Sequence, residues 1–162
     1  MDYHPVTGQI RTLLAAHGAP FEAFEHAPVR TSEQAAQTRP GYALRQGAKA
    51  ILLRVKRSES DKFFVMLVFP ADRQFDKLKV KQFFGARDLR FASEAEVGNL
   101  TGGVEPGGVP PFGSLFGLRV IADPSLFENE RIVFNAGDRR FSIAMTSADY
   151  RRIVNPEIVE IV

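Results

Sequence analysis

The sequence predicts an α+β fold in a single domain over 1–162, with a mixed, mostly antiparallel sheet that curls toward a barrel and helices packed outside it. Apolar periodicity marks about seven strands interleaved with about five short helices, and the hairpins are too short for βαβ crossovers. The segment 62–69 is an almost unbroken apolar run, which implies that both faces of the sheet are covered.

The first half of the chain supplies two helices, a short strand and a central hairpin. Gly18 is a C-terminal stop for the first helix. Thr31 or Ser32 caps the second helix, because Thr31 and Gln34 stand in the capping-box arrangement. In order, the predicted elements are a helix over 6–17, a strand over 19–26, a helix from 31, a helical turn at 43–47 and hairpin strands over 48–56 and 62–69.

The second half alternates short helices and strands. Phe75, Leu78 and Phe83 predict an apolar stripe on the third helix, and Ser93 caps the fourth. The lysines of the third helix form either an RNA-facing patch or a solvated face. In order, we expect a helix around 75–83, a strand at 89–91, a helix over 93–100, a strand over 118–122, a hairpin of 131–134 and 140–145 turning at 135–138, a helix over 147–153 and a strand over 157–162.

One loop, 101–113, has the composition of a functional segment. Its sequence is T-G-G-V-E-P-G-G-V-P-P-F-G, so glycine and proline supply eight of thirteen positions. Such a loop has a fixed shape and N–H groups that can point at a ligand. On composition alone, a pocket wall and a long surface crossover are equally good interpretations of this loop. Val104, Val109 and Phe112 favour the wall, because apolar residues indicate that the loop packs on the body.

Composition excludes several classes of site. The chain has no cysteine, and its three histidines are scattered, so we expect no disulfide, no thiol nucleophile and no metal. A net charge of +2 tolerates a partner contacted through a few phosphates without requiring nucleic acid. The N-terminus, M-D-Y-H-P-V-T-G, has no export signal, and no segment has the length of a membrane span. We therefore expect a soluble cytoplasmic protein without a membrane or DNA partner.

The remaining features suit ester hydrolysis by water. No G-x-S-x-G elbow, Walker sequence or dinucleotide fingerprint is present. The N–H groups of a shaped loop can bind an oxyanion, and Lys49, where a Gly-Ala turn enters the hairpin, can bind an anionic group. Taken alone, Lys49 is more simply a solvated lysine at a strand edge.

Four segments in order resemble a known family. They are F-E-H-A-P-V-R-T-S-E-Q-A at 24–35, G-A-K-A-I-L-L at 47–53, the glycine loop at 101–113 and F-N-A-G at 134–137. Together they are similar to the YbaK/ProX group of aminoacyl-tRNA editing domains, which also occur fused to prolyl-tRNA synthetases. The resemblance extends over roughly 21–161, in the same order and spacing.

The resemblance implies a free-standing deacylase without metal or cofactor, which hydrolyses the ester between a wrong amino acid and tRNA, most often tRNA for proline. Mischarged tRNA is the implied partner, bound at its acceptor end, and prolyl-tRNA synthetase is a candidate partner. Lys49 falls on the family's functionally important lysine, which favours a catalytic role over a solvated one. The implied site has Lys49 and Gly108 as catalytic residues and His26, Thr31, Gly107, Val109, Pro110, Phe112, Gly113, Asn135 and Gly137 as substrate-binding residues.

Two departures leave the amino acid open. Alanine-specific members often carry a histidine-proline pair where this chain has Asn135-Ala136, and cysteine-specific members carry a serine in the glycine motif that is absent here. Alanine or another small amino acid is expected as the substrate. The apolar pocket of a synthetase gains only about 1–3 kcal/mol of discrimination from one methylene, so smaller amino acids that are wrongly attached must be removed at a second site. His26 is either a substrate contact or a core histidine. A binding module for tRNA ends, nucleotides or a synthetase is the alternative function, followed by a plain interaction domain.

Overall fold

The computed structural model describes residues 2–29 and 31–162, apart from the side chain of Ser32. The strands are β1 Glu22–Glu25, β2 Ala48–Ser58, β3 Asp61–Pro70, β4 Asp88–Phe91, β5 Val120–Ala122, β6 Arg131–Asp138, β7 Phe141–Thr146 and β8 Glu157–Ile158. The α-helices are α1 Pro5–Ala16, α2 Ser32–Gln37, α3 Lys77–Phe84, α4 Glu94–Thr101 and α5 Ser147–Val154, with short 3-10 helices at Leu44–Gln46, Gly113–Phe116 and Pro124–Glu128. The α+β prediction is therefore confirmed.

Two open sheets replace the predicted barrel-like sheet. One has the order β1-β7-β6 and is antiparallel, and the other has the order β4-β2-β3-β5-β8. In the larger sheet β4, β2 and β3 pair antiparallel, while β5 and β8 add in parallel, so the sheet is mixed as expected. A parallel bridge between Gly47 and Val133 joins the two sheets. The barrel prediction is wrong because each sheet keeps its own edges among the described residues.

The central hairpin is covered on both faces, as its apolar run predicts. Ala48 lies opposite Pro70 and Ser58 opposite Asp61 in its register. Side chains of a strand alternate between faces, so Met66 packs in a cluster with α1 and the smaller sheet, while Leu67 packs in a second cluster with α3. Both side chains are fully buried.

The buried face of α3 differs from the predicted stripe. Val80 and Phe84 are the buried residues of this helix, whereas Leu78 is 64% exposed and Phe83 is 39% exposed. Asp76 begins the helix by accepting from two backbone N–H groups, and Gly85 ends it with φ 63°. The predicted caps Thr31 and Ser93 are confirmed, and Thr146 caps α5.

Residues 135–138 belong to a strand and not to a turn. β6 continues to Asp138, with a register shift between Asn135 and Asp138, and the turn follows at residues 139–140. Gly137 has φ 91°, and its N–H donates to the carbonyl of Gly108 at 2.9 Å. The turn-forming composition therefore marks a bulge that contacts the glycine loop. The first and last predicted strands are also shorter, since β1 starts at Glu22 and β8 ends at Ile158.

No helix within the described residues is long and apolar enough to cross a membrane.

Asp123 fixes the C-terminal segment to the sheet. Its buried carboxylate accepts from the N–H groups of Ser125 at 2.9 Å, Ile161 at 2.7 Å and Val162 at 3.0 Å. Burial alone would raise the pKa of Asp123, but the hydrogen bonds from Ser125, Ile161 and Val162 outweigh it and hold the pKa below its usual value.

Replacing Asp123 by asparagine is expected to lower the free energy of unfolding by about 1–3 kcal/mol at pH 7, because an amide cannot accept on both sides. The folded-state pKa of Asp123 is depressed, so this stabilisation is present above the unfolded-state pKa and is lost as pH falls through the folded-state value. Urea unfolding at pH 7 and at pH 3 measures both effects. The exposed Asp72→Asn is the control, and equal losses in the two variants would contradict the prediction.

Candidate functional site

A cleft of about 680 Å³ lies where the two sheets meet. Its walls come from the first half of β2, from α2, from the segment 71–74 after β3, from the glycine loop and from β6. β4 pairs with β2 only from Leu53 onward, so the edge of β2 over 48–51 has no neighbouring strand in the described structure. The carbonyl of Leu52 still accepts from Ala92 at 2.9 Å. Backbone groups of alternate residues face the same side, so those of Ala50 face the cleft.

Lys49 lies on this edge and lines the cleft. It is exposed and stands opposite Phe69 in the hairpin register. Among residues 2–29 and 31–162 its ammonium has no ion pair and no hydrogen bond, although ten other ion pairs are present. The charge is therefore free to bind a ligand in the cleft.

The glycine loop packs on the body, as its apolar residues predict. Val104 and Phe112 are buried, and Val109 is half-buried. Thr101 holds the start of the loop, since its hydroxyl accepts from the N–H of Val104 at 3.1 Å. Tyr150 holds the end, donating its hydroxyl to the carbonyl of Pro111 at 2.6 Å. These contacts give the loop a fixed shape next to the cleft.

Two N–H groups of this loop are available to a ligand. Gly107 and Val109 line the cleft, and their N–H groups have no acceptor within the described part of the chain. The N–H of Gly108 donates to the carbonyl of Glu105 at 2.9 Å, so it is already paired. Gly107 has φ 88°, a conformation that favours glycine. The loop therefore presents the N–H groups on either side of Gly108.

A polar network supports the loop from beneath. The amide of Asn135 donates to the carbonyl of Gly107 at 2.8 Å, and its oxygen accepts from Nη2 of Arg39 at 2.9 Å. Nε of Arg39 donates to the hydroxyl of Ser142 at 3.0 Å. The same hydroxyl lies 2.7 Å from Nε2 of His26. Arg39, Asn135 and Ser142 thus connect the buried face of the smaller sheet to the position of Gly107.

Arg39 is a buried cation that meets only neutral acceptors in this network. It is 6% exposed, lines the cleft and has no carboxylate partner among the described residues. Burial lowers the pKa of Arg39 to about 10 because desolvation disfavours the charged form. Its Nη1 makes no hydrogen bond within the same residues. An unpaired buried charge is costly, so the position indicates a function.

The chain matches the family model of the aminoacyl-tRNA editing domain over residues 26–153. The chain belongs to this family. Domains of the family edit aminoacyl-tRNA in translation quality control, and the chain is accordingly a hydrolase of the aminoacyl-tRNA ester. The resemblance on which the site was predicted is thereby confirmed.

Relatives of this editing domain occur both alone and within larger enzymes. The multifunctional Ser/Thr-tRNA deacylase ProXp-y of Escherichia coli (strain K12) is 40% identical over 148 residues, which cover 91% of this chain and 87% of that protein. The proline--tRNA ligase of Stenotrophomonas maltophilia (strain R551-3) is 29% identical over 121 residues, 75% of this chain and 21% of the ligase. A solved structure of a protein proposed as a trans-editing enzyme for prolyl tRNA synthetase has a TM-score of 0.81 at 21% identity, covering 99% of this chain and 98% of that one.

The predicted site residues of the editing domain divide into two groups. Lys49, Thr31, Gly107, Val109 and Asn135 come together around the cleft. The others do not line this cleft, and Gly108 and Gly137 line a second, smaller cavity; this group is His26, Gly108, Pro110, Phe112, Gly113 and Gly137.

Two residues of the second group, Phe112 and Gly113, pack inside the protein at the end of the glycine loop. Phe112 is fully buried, with its ring centroid 5.3 Å from that of Phe134 and 5.5 Å from that of Tyr150. A Cβ on Gly113 would lie 2.5 Å from a methyl of Val120 and 2.6 Å from the carbonyl of Leu118. Both residues therefore have a packing role, and the glycine at 113 is required by close approach.

Arg39 is the cleft residue that sequence reasoning missed. It directly precedes Pro40 and Gly41, a pair typical of a helix stop, and no spacing or motif distinguishes it from a solvated arginine. Glu33 and Asp72 are the carboxylates that line the cleft, and both are exposed. No group of three or more potential metal ligands is found in the described residues, and a reaction without metal stays a prediction.

Proposed function

We propose that the chain is a free-standing trans-editing deacylase, which removes a small amino acid from mischarged tRNA in the cytoplasm without a metal. The observation that carries this proposal is that Lys49, Gly107 and Val109 line one cleft. Within the described structure the ammonium of Lys49 is unpaired, and the N–H groups of Gly107 and Val109 have no acceptor. The acceptor end enters this cleft with the esterified amino acid. Free-standing action is supported by the match to 87% of the deacylase from Escherichia coli, against 21% of the ligase.

The reaction needs only water as the nucleophile. A water oxygen bonds to the ester carbon, the carbonyl oxygen gains negative charge, and the bond to the ribose oxygen then breaks. One proton of the water ends on the ribose hydroxyl, the other is released to solvent, and the amino acid leaves as a carboxylate. N–H donors aimed at the developing oxyanion are each worth about 10²–10³-fold in rate. We assign this role to Gly107 and Val109, since the N–H of Gly108 is occupied.

Lys49 supplies positive charge beside the same oxyanion. Lys49 lies at the edge of β2, and no carboxylate pairs with its ammonium in the described chain. The ammonium therefore breaks no ion pair when it binds the substrate. Electrostatic stabilisation in a partly enclosed site is stronger than in water. The lysine and the loop therefore act on one charge from two sides.

The polar floor of the cleft supports serine and threonine as substrates ahead of alanine. Thr31, Arg39 and Asn135 offer hydrogen-bonding groups at the cleft, and the related enzyme from Escherichia coli is described as a Ser/Thr-tRNA deacylase. A site that hydrogen-bonds a hydroxyl group discriminates strongly against an analogue without it. Alanine was the sequence-based expectation and remains the second candidate.

Transfer RNA for proline stays the proposed carrier, with prolyl-tRNA synthetase as a proposed partner. The support is the similarity to proline--tRNA ligases, which carry a matching segment over about a fifth of their length. A tRNA carrying serine or threonine is the competing carrier, supported by the name of the deacylase relative.

The test is release of amino acid from tRNA for proline, serine and threonine. The proline tRNA is charged in separate reactions with alanine, serine, threonine, cysteine or proline, and the other two with their own amino acids. We expect fast release of serine or threonine, slower release of alanine and no release of proline. Release from none of these would remove the deacylase proposal in favour of a binding module. Chelator-treated enzyme should act at the same rate, and loss of activity on chelation would overturn the metal-free mechanism.

A further inference from the structure

An exposed aromatic ring stands at the mouth of the cleft. Phe91, the last residue of β4, is 61% exposed and lines the cleft. Phe75 packs edge-on against it with ring centroids 5.8 Å apart, and Phe75 in turn lies 6.2 Å from Phe69 in the core. The three rings form a row from the core to the surface. Phe91 is therefore held in position although most of its surface meets solvent.

Phe91 and Lys49 lie on the same face of the larger sheet. Phe91 is directly opposite Leu53, and Lys49 precedes Leu53 by four positions on β2. Directly paired residues share a face, as do alternate residues along a strand. At about 3.3 Å per residue, the ring stands about 13 Å along the sheet from the backbone of Lys49. The ring is thus well separated from the backbone of Lys49, which favours a base of the neighbouring nucleotide over that of the nucleotide whose ester lies beside Lys49.

The charge of the cleft suits a nucleic acid strand at this ring. Within the described part of the chain, the charged residues that line it are three cations, Arg39, Lys49 and Arg73, and two carboxylates, Glu33 and Asp72. The side chain of Arg73 is exposed and has no ion pair or hydrogen bond in the described structure. Aromatic side chains beside cations that follow the backbone are the combination by which proteins bind single-stranded RNA.

We propose that Phe91 stacks on a base of the single-stranded acceptor end, next to the terminal nucleotide that carries the amino acid, with Arg73 beside its phosphate. This inference rests on the proposed deacylase function and adds the path of the RNA out of the cleft. The lysines of α3 do not line the cleft, and Lys79 donates to the carbonyl of Val162 at 2.7 Å. The single-stranded RNA therefore passes along Phe91 and not along α3.

The experiment compares Phe91→Ala with Leu78→Ala on two substrates. Leu78 is the matched control because it is 64% exposed and lies on α3 outside the cleft. One substrate is the charged tRNA, and the other is the same amino acid esterified to adenosine alone. We expect Phe91→Ala to raise KM for the charged tRNA about tenfold, with kcat nearly unchanged, because stacking contributes about 1–3 kcal/mol per base. Phe91→Tyr should retain the wild-type KM, and Leu78→Ala should have no effect.

Hydrolysis of aminoacyl-adenosine should be the same in Phe91→Ala and wild type, because this substrate has no neighbouring base. An equal loss on both substrates, an equal loss in Leu78→Ala, or no loss on the charged tRNA would each overturn the proposal. If wild type hydrolyses neither substrate, the deacylase function fails separately. Binding of an uncharged oligoribonucleotide with the acceptor-end sequence then decides the role of the ring, since Phe91→Ala should weaken its Kd about tenfold and equal affinity would refute stacking.

Discussion

Replacing Lys49 by alanine is expected to lower kcat/KM for the mischarged tRNA about 100-fold or more, equivalent to about 2.7 kcal/mol of transition-state stabilisation. The ammonium has no partner to lose within the described structure, so its removal leaves no unsatisfied group. An exposed strand residue of this kind contributes within about 0.5 kcal/mol to stability. The variant should therefore unfold at the wild-type temperature, and the loss should appear mainly in kcat. Single-turnover hydrolysis and thermal unfolding measure the two quantities.

Two variants make this result specific to the charge at that position. Lys49→Arg keeps a cation and should recover part of the rate, since a guanidinium can still lie beside the oxyanion but with different geometry. Lys62→Ala removes an exposed lysine from the far end of the same hairpin, opposite Lys56, and should act like wild type. Wild-type activity in Lys49→Ala would exclude the lysine from the reaction. A strongly lowered unfolding temperature would instead give it a structural role.

Local sequence signals were sufficient for most elements of the fold and insufficient where a distant contact decides the conformation. The cap at Ser93 and the apolar run of β3 act on neighbouring residues, and both predictions are confirmed. The predicted turn at 135–138 is wrong because Gly137 is fixed from elsewhere. Its N–H binds the carbonyl of Gly108, and a Cβ there would lie 3.0 Å from a methyl of Val6. The composition of this segment indicates that a glycine is needed, but it does not identify the distant residue whose contact requires one.

The third helix shows the same limit for a buried face. Leu78 and Phe83 are apolar at suitable spacing, but the helix turns Val80 and Phe84 toward the sheet. An eight-residue helix has apolar residues on more than one side, and the surface against which it packs selects between them.

The cleft itself could be predicted only in part. Lys49, Gly107 and Asn135 lie within motifs that resemble the family, and these residues do come together. Arg39 lies outside the recognised motifs, and its partners Asn135 and Ser142 are about a hundred positions away in the chain. Neither its burial nor the lack of a carboxylate partner in the described structure has a local sequence signal, because both arise from the packing of Arg39 against the smaller sheet.

Replacing Arg39 by methionine is expected to lower kcat about 10- to 100-fold while changing the free energy of unfolding by less than about 1.5 kcal/mol. Two opposing effects on stability explain the small change. The guanidinium gives up hydrogen bonds to Ser142 and Asn135, each worth about 1.5–3 kcal/mol for a charged donor. Removing an unpaired buried charge also removes a desolvation cost of several kcal/mol, and methionine fills similar volume.

The loss of rate follows from what Arg39 holds in position. Without Nη2 of Arg39, the side-chain oxygen of Asn135 keeps only the hydroxyl of Ser142 as a donor in the described structure, at 3.1 Å. The amide is then held less firmly, and its hydrogen bond to the carbonyl of Gly107 is weakened. The N–H donors at Gly107 and Val109 then lose their fixed direction, and a displacement of about 1 Å in a catalytic group can cost about 10²-fold in rate. Arg39 is therefore a positioning residue that acts through Asn135.

A double-mutant cycle separates this role from simple support of the fold. Asn135→Ala should lower kcat to a similar extent, and the double variant Arg39→Met with Asn135→Ala should be no slower than the slower single variant, because both changes break one chain of contacts. Arg39→Lys keeps the charge but cannot contact Ser142 and Asn135 together, so it should recover little activity. Multiplying losses in the double variant would show that Arg39 and Asn135 act independently. Recovery of wild-type rate by lysine would show that charge alone, and not the hold on Gly107, is what the reaction requires.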